Sequence, residues 1–146
     1  MAALPGTGFL SGKVWKQTLP VFNGPTGAEA PALKRLLLPQ GELTSFHNAD
    51  EAIHYIAFIE LRDGAARGNH FHKLKKEMVY VVQGEVVLVI EDTESKARES
   101  VPLRAGDLAI ISVGIAHVLR TVIPGHAIEF SPARFDPSDT YRYLLS

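Results

Sequence analysis

Three histidines and one glutamate are spaced in a way that suits metal binding. His70 and His72 are separated by one residue, and side chains at positions i and i+2 of a strand point to the same face. Glu77 follows across the short polar turn 73–76, which lets the chain reverse and return to the same interior. His117 stands at the start of another predicted strand. The spacing therefore predicts that three imidazoles and one carboxylate converge on one point.

This set of side chains predicts a divalent transition metal as cofactor. Imidazole nitrogen and carboxylate oxygen suit zinc, iron, manganese, nickel or copper. The chain has no cysteine, so a thiolate ligand, a thiol nucleophile and a disulfide framework are all excluded. The identity of the metal stays open at this point.

Other polar residues near these positions are candidates for substrate contacts. Arg67 lies three residues before His70, and its planar guanidinium suits a phosphate or carboxylate of a substrate. Glu60 and His54 share one face of a predicted strand and are candidates for an acid–base role, with a surface role as the alternative. Lys73, Lys75 and Lys76 are expected to form a solvated turn.

The elements that must position these residues are predicted to be strands. From residue 33 onward, short apolar runs are separated by turn residues every 8–12 positions, which is typical of an all-β sandwich or barrel. The predicted strands are Leu33–Leu38, Ile53–Leu61, Gly68–His72, Met78–Gln83, Glu85–Glu91, Glu99–Leu103, Leu108–Ser112, His117–Thr121 and Ala127–Phe130. A capping pattern at Asp136 predicts a short helix that ends near Leu145.

Residues 1–32 are rich in glycine, proline, alanine and threonine and are predicted to form an N-terminal arm before a β-barrel domain of residues 33–146. The arm is expected to pack around a partner or on the domain's own surface. It carries an apolar cluster that would be too exposed on a free tail, and for this reason we expect it to take part in a homodimer. The cluster consists of Val14, Trp15, Leu19, Val21 and Phe22.

Composition narrows the class of protein. The 146 residues predict one domain, and a chain of this length buries roughly 68–70% of its unfolded surface. With 46% hydrophobic and 21% charged residues, disorder is excluded as the main state. A net charge of −1 gives no basic field for nucleic acid, and no apolar run is long enough for a membrane span. The N-terminus lacks the features of a secretion signal, so we expect a cytoplasmic protein with a small-molecule substrate.

Two segments resemble the motifs of the cupin superfamily. The first is Gly64-x5-His70-x-His72-x4-Glu77-x6-Gly84, and the second is Gly106-x5-Ser112-x-Gly114-x2-His117-x3-Thr121. Ser112 stands where proline is usual and Thr121 where asparagine is usual, and neither is a ligand position. The resemblance covers roughly residues 53–131. It implies a single-domain jelly-roll β-barrel with a metal bound by the four residues, and members of the family usually dimerise.

A narrower resemblance concerns nucleotide-sugar cupins. The segment 67–73 is similar to that of ketoisomerases of dTDP-linked deoxysugar pathways and of the metal-bearing cupin domain of capsular polysaccharide hexulose epimerases; the tail 135–141 is similar as well. Ketoisomerases often have glutamine at the position of Glu77, so this chain resembles the metal-bearing group. The resemblance implies isomerisation or epimerisation of a nucleotide-linked keto sugar, with the metal as Lewis acid. An iron-dependent dioxygenase and a non-catalytic small-molecule-binding cupin are the alternatives.

Overall fold

A computed structural model describes residues 6–24 and 30–145, and almost all regular secondary structure in this part of the chain is β-strand, which confirms the all-β prediction. One 3₁₀ turn at Pro137–Asp139 interrupts it. The strands are β1 Gly6–Phe9, β2 Val14–Thr18, β3 Lys34–Leu38, β4 Gly41–Ser45, β5 Tyr55–Leu61, β6 Ala66–Phe71, β7 Glu77–Asp92, β8 Arg98–Arg104, β9 Asp107–Ile111, β10 Ile115–Ser131 and β11 Tyr141–Arg142. Within the described residues we find no helix that is long and apolar enough to cross a membrane.

The two longest strands, β7 and β10, organise the sheet because they pair with each other and run through both of its layers. In one layer the order is β1, β2, β9, the start of β7, the end of β10, and β5. In the other layer it is β8, the end of β7, the start of β10, β6 and β11. Strands β3 and β4 form a separate hairpin. The described pairings thus form two facing layers with open edges, as in a jelly roll.

The core lies between these layers because alternate residues of both contribute apolar side chains to it. Burial of a valine, leucine or isoleucine stabilises the fold by about 1.5–3 kcal/mol each. The largest core side chains with almost no exposure include Val14, Val81, Val86, Leu88, Ile90, Val101, Leu103, Ile111 and Ile115. They come from both layers, so the hydrophobic core and the interior that could hold a site are one space.

Glycines allow β7 and β10 to pass from one layer to the other. Gly84 has a φ of +95°, and a Cβ there would lie 2.5 Å from the carbonyl oxygen of Ile123. A Cβ on Gly125 would lie 1.8 Å from the carbonyl oxygen of Gln83. The sequence analysis took such a glycine as the end of a strand, and it therefore divided β7 and β10 into two strands each. In the structure the pairing continues through irregular register, because glycine accepts the sharp bend within a strand.

Part of the predicted N-terminal arm belongs to the main sheet. β1 and β2 form a hairpin, and β2 pairs with β9 from Val14↔Ile111 to Thr18↔Asp107. Val14 is fully buried and Leu19 nearly so, so neither is free to contact a second copy as the sequence analysis expected. Residues 1–5 and 25–29 of the arm lie outside the described residues. The division at residue 32 and a role of the remaining arm residues in a dimer stay predictions.

The C-terminal tail differs from the predicted helix. Asp136 accepts a hydrogen bond from the Ser138 amide, as a cap does, but the helix ends after one 3₁₀ turn. The chain then becomes extended, and Tyr141 pairs with Phe71 of β6. The amide of Leu145 donates to Oδ1 of Asn69. Pairing with the edge of β6 offers backbone partners and apolar contacts that an isolated short helix lacks, so the tail extends the sheet instead.

Asp139 joins this tail to the turn that follows β6. Its carboxylate is buried and accepts hydrogen bonds from the backbone amides of Lys73, Leu74 and Lys75, at 2.9 to 3.2 Å. Its backbone carbonyl also accepts a bond from Nδ1 of His72, at 2.8 Å. Three backbone donors therefore depend on one side chain that is distant in sequence.

We predict that Asp139→Ala lowers the free energy of unfolding by about 3 kcal/mol, because hydrogen bonds to a charged group contribute about 1.5–3 kcal/mol and the stranded amides lose their acceptor. Asp136→Ala, which removes an exposed cap three residues earlier, should lower it by about 1 kcal/mol. Urea denaturation followed by circular dichroism measures both. Equal losses in the two variants would contradict a special role of Asp139.

Candidate metal centre

The structure brings together the four residues that the sequence predicted as ligands. His70 lies near the end of β6 and pairs with His117 of β10. His72 follows β6 directly, and Glu77 is the first residue of β7. One potential ligand atom from each of the four residues lies within 4.8 Å of the other three. The group faces the interior between the two layers and is largely buried.

A bulge in β6 sets the direction of the side chains that enter this interior. Gly68 pairs with Val118 and His70 with His117, so Asn69 is the extra residue between them. Gly68 has a φ of +119° and Asn69 a φ of +60°. A Cβ on Gly68 would lie only 2.7 Å from the carbonyl oxygen of His117. Because of the extra residue, Arg67 and His70 face the same cavity although they are three positions apart.

Glu77 is the most deeply buried charge of the group, with 4% of the residue exposed. Its Oε1 lies 2.7 Å from Nε2 of His72, and its Oε2 lies 3.0 Å from Nε2 of His117. Burial alone would raise the pKa of this carboxyl, but the positive charge and hydrogen bonding of His117, together with the hydrogen bond from His72, hold it well below the usual range. Glu77 is therefore a carboxylate, as a metal ligand must be.

The two buried histidines are oriented as ligands by backbone carbonyls. Nδ1 of His72 donates to the carbonyl of Asp139, and Nδ1 of His117 donates to the carbonyl of Ile115 at 3.0 Å. Nε2 of each ring therefore faces the interior, where it lies within 3.0 Å of the carboxylate of Glu77. A metal ligand must be the neutral ring, whose lone pair is on Nε2 when Nδ1 carries the proton. This orientation fits a metal ligand.

His70 completes the donor set as a neutral ring. Burial, together with the positive charge of the neighbouring His117, lowers its pKa to about 4. Its ring centroid lies 4.9 Å from that of His72 and 4.8 Å from that of His117. The donor chemistry of these residues, three imidazoles and a carboxylate on one point, fits a divalent transition metal.

Two further charged residues border the group. Lys75 is 7% exposed, and its Nζ lies 3.4 Å from Oε1 of Glu77, 3.7 Å from Oε1 of Glu129 and 4.3 Å from the centre of the Tyr55 ring. The expectation that this lysine is solvated is wrong, because Asp139 holds its backbone against the interior. Burial, together with the negative charge of Glu77 and a hydrogen bond to it, raises the pKa of Glu129 to about 7.

Two cavities open on the four-residue group from different sides. The inner cavity, of about 130 Å³, is lined by Arg67 together with apolar core residues such as Ile59 and Leu119. The outer cavity, of about 420 Å³, is lined by Lys75 and by the aromatic side chains of Tyr55 and Phe135. Both share His70, Glu77 and Glu129. A ligand at the group can therefore contact a cation on either side.

The structure does not bring Glu60 and His54 to this interior. Both lie on the outward face of the β5 segment, where Ile59 and Leu61 take the inward positions. The side chain of Glu60 is 54% exposed and lies 3.3 Å from Arg62, beside a separate surface cavity. His54 is exposed, and its Nδ1 donates to the carbonyl of Pro132. The period-2 pattern correctly placed the two on one face, but this is the face that points away from the site.

Sequence reasoning missed Glu129 and Lys75 as members of the site. Glu129 is the one acid in the predicted strand Ala127–Phe130, and its neighbours Ile128 and Phe130 pack on the opposite face. An acid that alternates with apolar residues was thus a usable signal. For Lys75 the sequence holds no local signal, because its burial depends on Asp139, more than sixty residues away.

Comparison with known proteins identifies the family to which the fold is similar. The family model described as "Cupin domain" matches residues 57–130. No curated protein sequence matches the chain. A 3,4-ketoisomerase from Helicobacter canadensis superposes with a TM-score of 0.66 at 17% identity, over 76% of this chain and 86% of that one. The RmlC epimerase of Mycobacterium tuberculosis gives a TM-score of 0.73 at 15% identity, over 95% and 72%.

A third similar structure is the dTDP-4-dehydrorhamnose 3,5-epimerase from Bacillus anthracis with TDP and pyrophosphate bound, with a TM-score of 0.71 at 15% identity over 94% of this chain and 82% of that one. At these identities the superpositions establish a shared architecture. In the two epimerases it covers 94–95% of this chain and so includes most of the segments outside the family match. The match of the family model over half of the chain, with both histidine motifs inside it, shows that this protein belongs to the cupin family.

Proposed function

We propose that this protein is a metal-dependent isomerase or epimerase of a nucleotide-linked keto sugar. The observation that carries the proposal is that the cavity beside the four-residue group is also lined by Glu129 and by Arg67, an exposed arginine. Moving a proton beside a carbonyl requires an electrophile, a proton acceptor and, for a nucleotide sugar, a cation for the phosphates. The similar dTDP-4-dehydrorhamnose 3,5-epimerase, whose name contains such a sugar, supports the substrate class.

His70, His72, Glu77 and His117 would hold the metal, as their donor atoms fit one. When bound, a divalent metal supplies a Lewis acid that polarises the substrate carbonyl. Glu129 lies at the junction of the two cavities and is not one of the four ligands, so its carboxylate is placed to take the proton from the carbon beside that carbonyl. Arg67 then orients the substrate by a bidentate contact with a phosphate.

The residues around the group also limit the access of water. Ile59, Val79 and Leu119 form an apolar wall of the inner cavity. On the other side, the ring of Tyr55 stacks with that of Phe135 at a centroid distance of 6.0 Å. A dry surrounding strengthens the interaction of charged side chains with a developing negative charge on the substrate. The chain thus offers a partly enclosed space for the sugar, open on the side of the outer cavity.

The metal assignment predicts one divalent ion per chain. In His72→Ala and Glu77→Gln, metal affinity should fall by more than the about 10–100-fold typical of losing a residue that only supports a ligand. The far-UV circular dichroism should persist, since none of the four side chains belongs to the cluster of apolar residues that forms the core. Elemental analysis after reconstitution at neutral pH measures the content, with His126→Ala, an exposed histidine of β10, as control. Wild-type protein that never holds stoichiometric metal would contradict the assignment.

The activity predicts exchange of substrate hydrogen with solvent. Metal-loaded protein incubated with dTDP- or UDP-linked 4-keto sugars in heavy water should incorporate deuterium, detected as a mass increase. Glu129→Gln should lower the exchange rate by at least about 100-fold, the lower range for loss of an acid–base group, while it retains the metal. No exchange on any such sugar, together with oxygen uptake on a small substrate, would favour the dioxygenase alternative.

Arg67→Ala should raise the KM for the nucleotide sugar by about tenfold or more, because a charge-assisted hydrogen bond contributes about 1.5–3 kcal/mol. The matched control is Arg62→Ala, since this exposed arginine lies five residues earlier beside a different cavity. Steady-state kinetics on both variants separates the two. An unchanged KM in Arg67→Ala would remove the main support for phosphate binding.

A further inference from the structure

Lys75 is the one buried lysine among the described residues, with 7% of the residue exposed. Its neighbours in the same turn, Lys73 and Leu74, are exposed, so the position in the chain does not explain the burial. A buried ammonium group is costly unless charged or polar partners compensate it. The proposed mechanism assigns no role to this lysine, and its partners indicate what that role is.

The ammonium group of Lys75 bridges two carboxylates that have different roles. Its Nζ lies 3.4 Å from Oε1 of Glu77 and 3.7 Å from Oε1 of Glu129. The Tyr55 ring, whose centre lies 4.3 Å from the same atom, adds a cation–π contact. Lys75 thus lies between a potential ligand of the metal and the carboxylate that is proposed to accept the substrate proton.

Glu129 depends on this lysine more than Glu77 does. The backbone of Glu129 is fixed by pairing with Ala57 and Val79 of the neighbouring strands. Its carboxylate, however, forms its only ion pair within the described residues with Lys75. Glu77, in contrast, also contacts two imidazoles. Loss of the ammonium group would therefore leave the carboxylate of Glu129 without a positive partner that fixes its direction.

Metal binding at the candidate centre changes the balance between the two carboxylates. This step rests on the proposed function, in which Glu77 is a metal ligand and Glu129 is the proton acceptor. When Glu77 shares its negative charge with a metal ion, the attraction of Lys75 is directed mainly to Glu129. The backbone of Lys75 stays in place, because its amide donates to the carboxylate of Asp139 at 3.1 Å. We propose that Lys75 is a positioning residue, which holds the carboxylate of Glu129 for proton transfer and lowers the affinity of the site for its metal.

The two parts of this role predict changes of opposite sign when the lysine is removed. A divalent ion and the ammonium group of Lys75 are like charges beside the same carboxylate, and a buried site screens their repulsion only weakly. Without the ammonium group the metal should bind more tightly, while proton transfer through Glu129 becomes slower. A lysine that only supported the fold of the site would, on removal, weaken metal binding as well.

The first test measures the affinity for zinc alone, by competition with a chelating dye at neutral pH. Lys75→Met and Lys75→Gln should bind the ion at least about tenfold more tightly than the wild type, because a nearby like charge is gone. Lys75→Arg keeps the charge and should bind zinc like the wild type. Lys76→Met is the matched control, since this neighbouring lysine is paired with Glu51 and should leave the affinity unchanged.

The second test measures deuterium exchange on a nucleotide-linked 4-keto sugar, with every variant saturated with the metal that supports exchange in the wild type. Lys75→Met should lower kcat by about 10–100-fold with little change in KM, because a displaced catalytic group costs rate rather than binding. Lys75→Arg should recover part of the rate, and Lys76→Met should retain all of it. In a Glu129→Gln background, Lys75→Met should cause no further loss, because Lys75 acts through Glu129.

Circular dichroism verifies that each variant is folded. If Lys75→Met alone does not fold, the comparison is made in the Glu129→Gln background, where both charges of the buried pair are absent. Zinc binding should still tighten there on loss of the lysine, and the exchange rate should stay that of Glu129→Gln.

Three results would each overturn the role of Lys75: weaker zinc binding in the neutral variants, unchanged exchange in Lys75→Met, or a further loss of exchange in the double variant. Any of them, found while the wild type exchanges substrate hydrogen, refutes this role and leaves the proposed function standing. A wild type that binds zinc but exchanges no hydrogen refutes the proposed function, and the positioning role with it.

Discussion

A carboxylate buried as deeply as that of Glu77 must be compensated, since the effective penalty for burying an ion in a protein is several kcal/mol. Here the compensation comes from two imidazoles and from the ammonium group of Lys75, all within 3.4 Å of its oxygens. Each of these groups must in turn be held in place. The arrangement of β6, β10 and the C-terminal tail around the site can be understood from this requirement.

Two structural features hold the groups around Glu77 in place, and they do so by different means. The bulge at Gly68 and Asn69 lets Arg67 and His70 line one cavity and brings β6 close to the carbonyl of His117. Asp139 binds the turn after β6 through three amides and orients His72 through its carbonyl. The bulge acts within one strand pair, whereas the hydrogen bonds of Asp139 join distant parts of the chain. Both use hydrogen bonds and backbone conformation, and neither adds apolar burial.

The sequence was most informative where spacing alone determines geometry. The four potential ligands and the all-β class could be predicted, because period-2 alternation and the motif spacing leave few other arrangements. The inside and outside of β5 could not be distinguished, since both of its faces are apolar and only the tertiary structure shows which one faces the core. For that reason Glu60 and His54 were assigned to the wrong side, while Glu129 on the neighbouring strand was not chosen.

The position of Asp139 in the chain has a consequence for biosynthesis. Residues 70–77 are synthesised more than sixty residues before Asp139, and the turn between them lacks its acceptor until residue 139 has been added. β11 likewise pairs with β6 only after that point. A nascent chain therefore carries its histidine pair on an incomplete edge until this later segment has been added. The turn between His72 and Glu77 can therefore reach its final hydrogen bonding only after residue 139 has joined the fold.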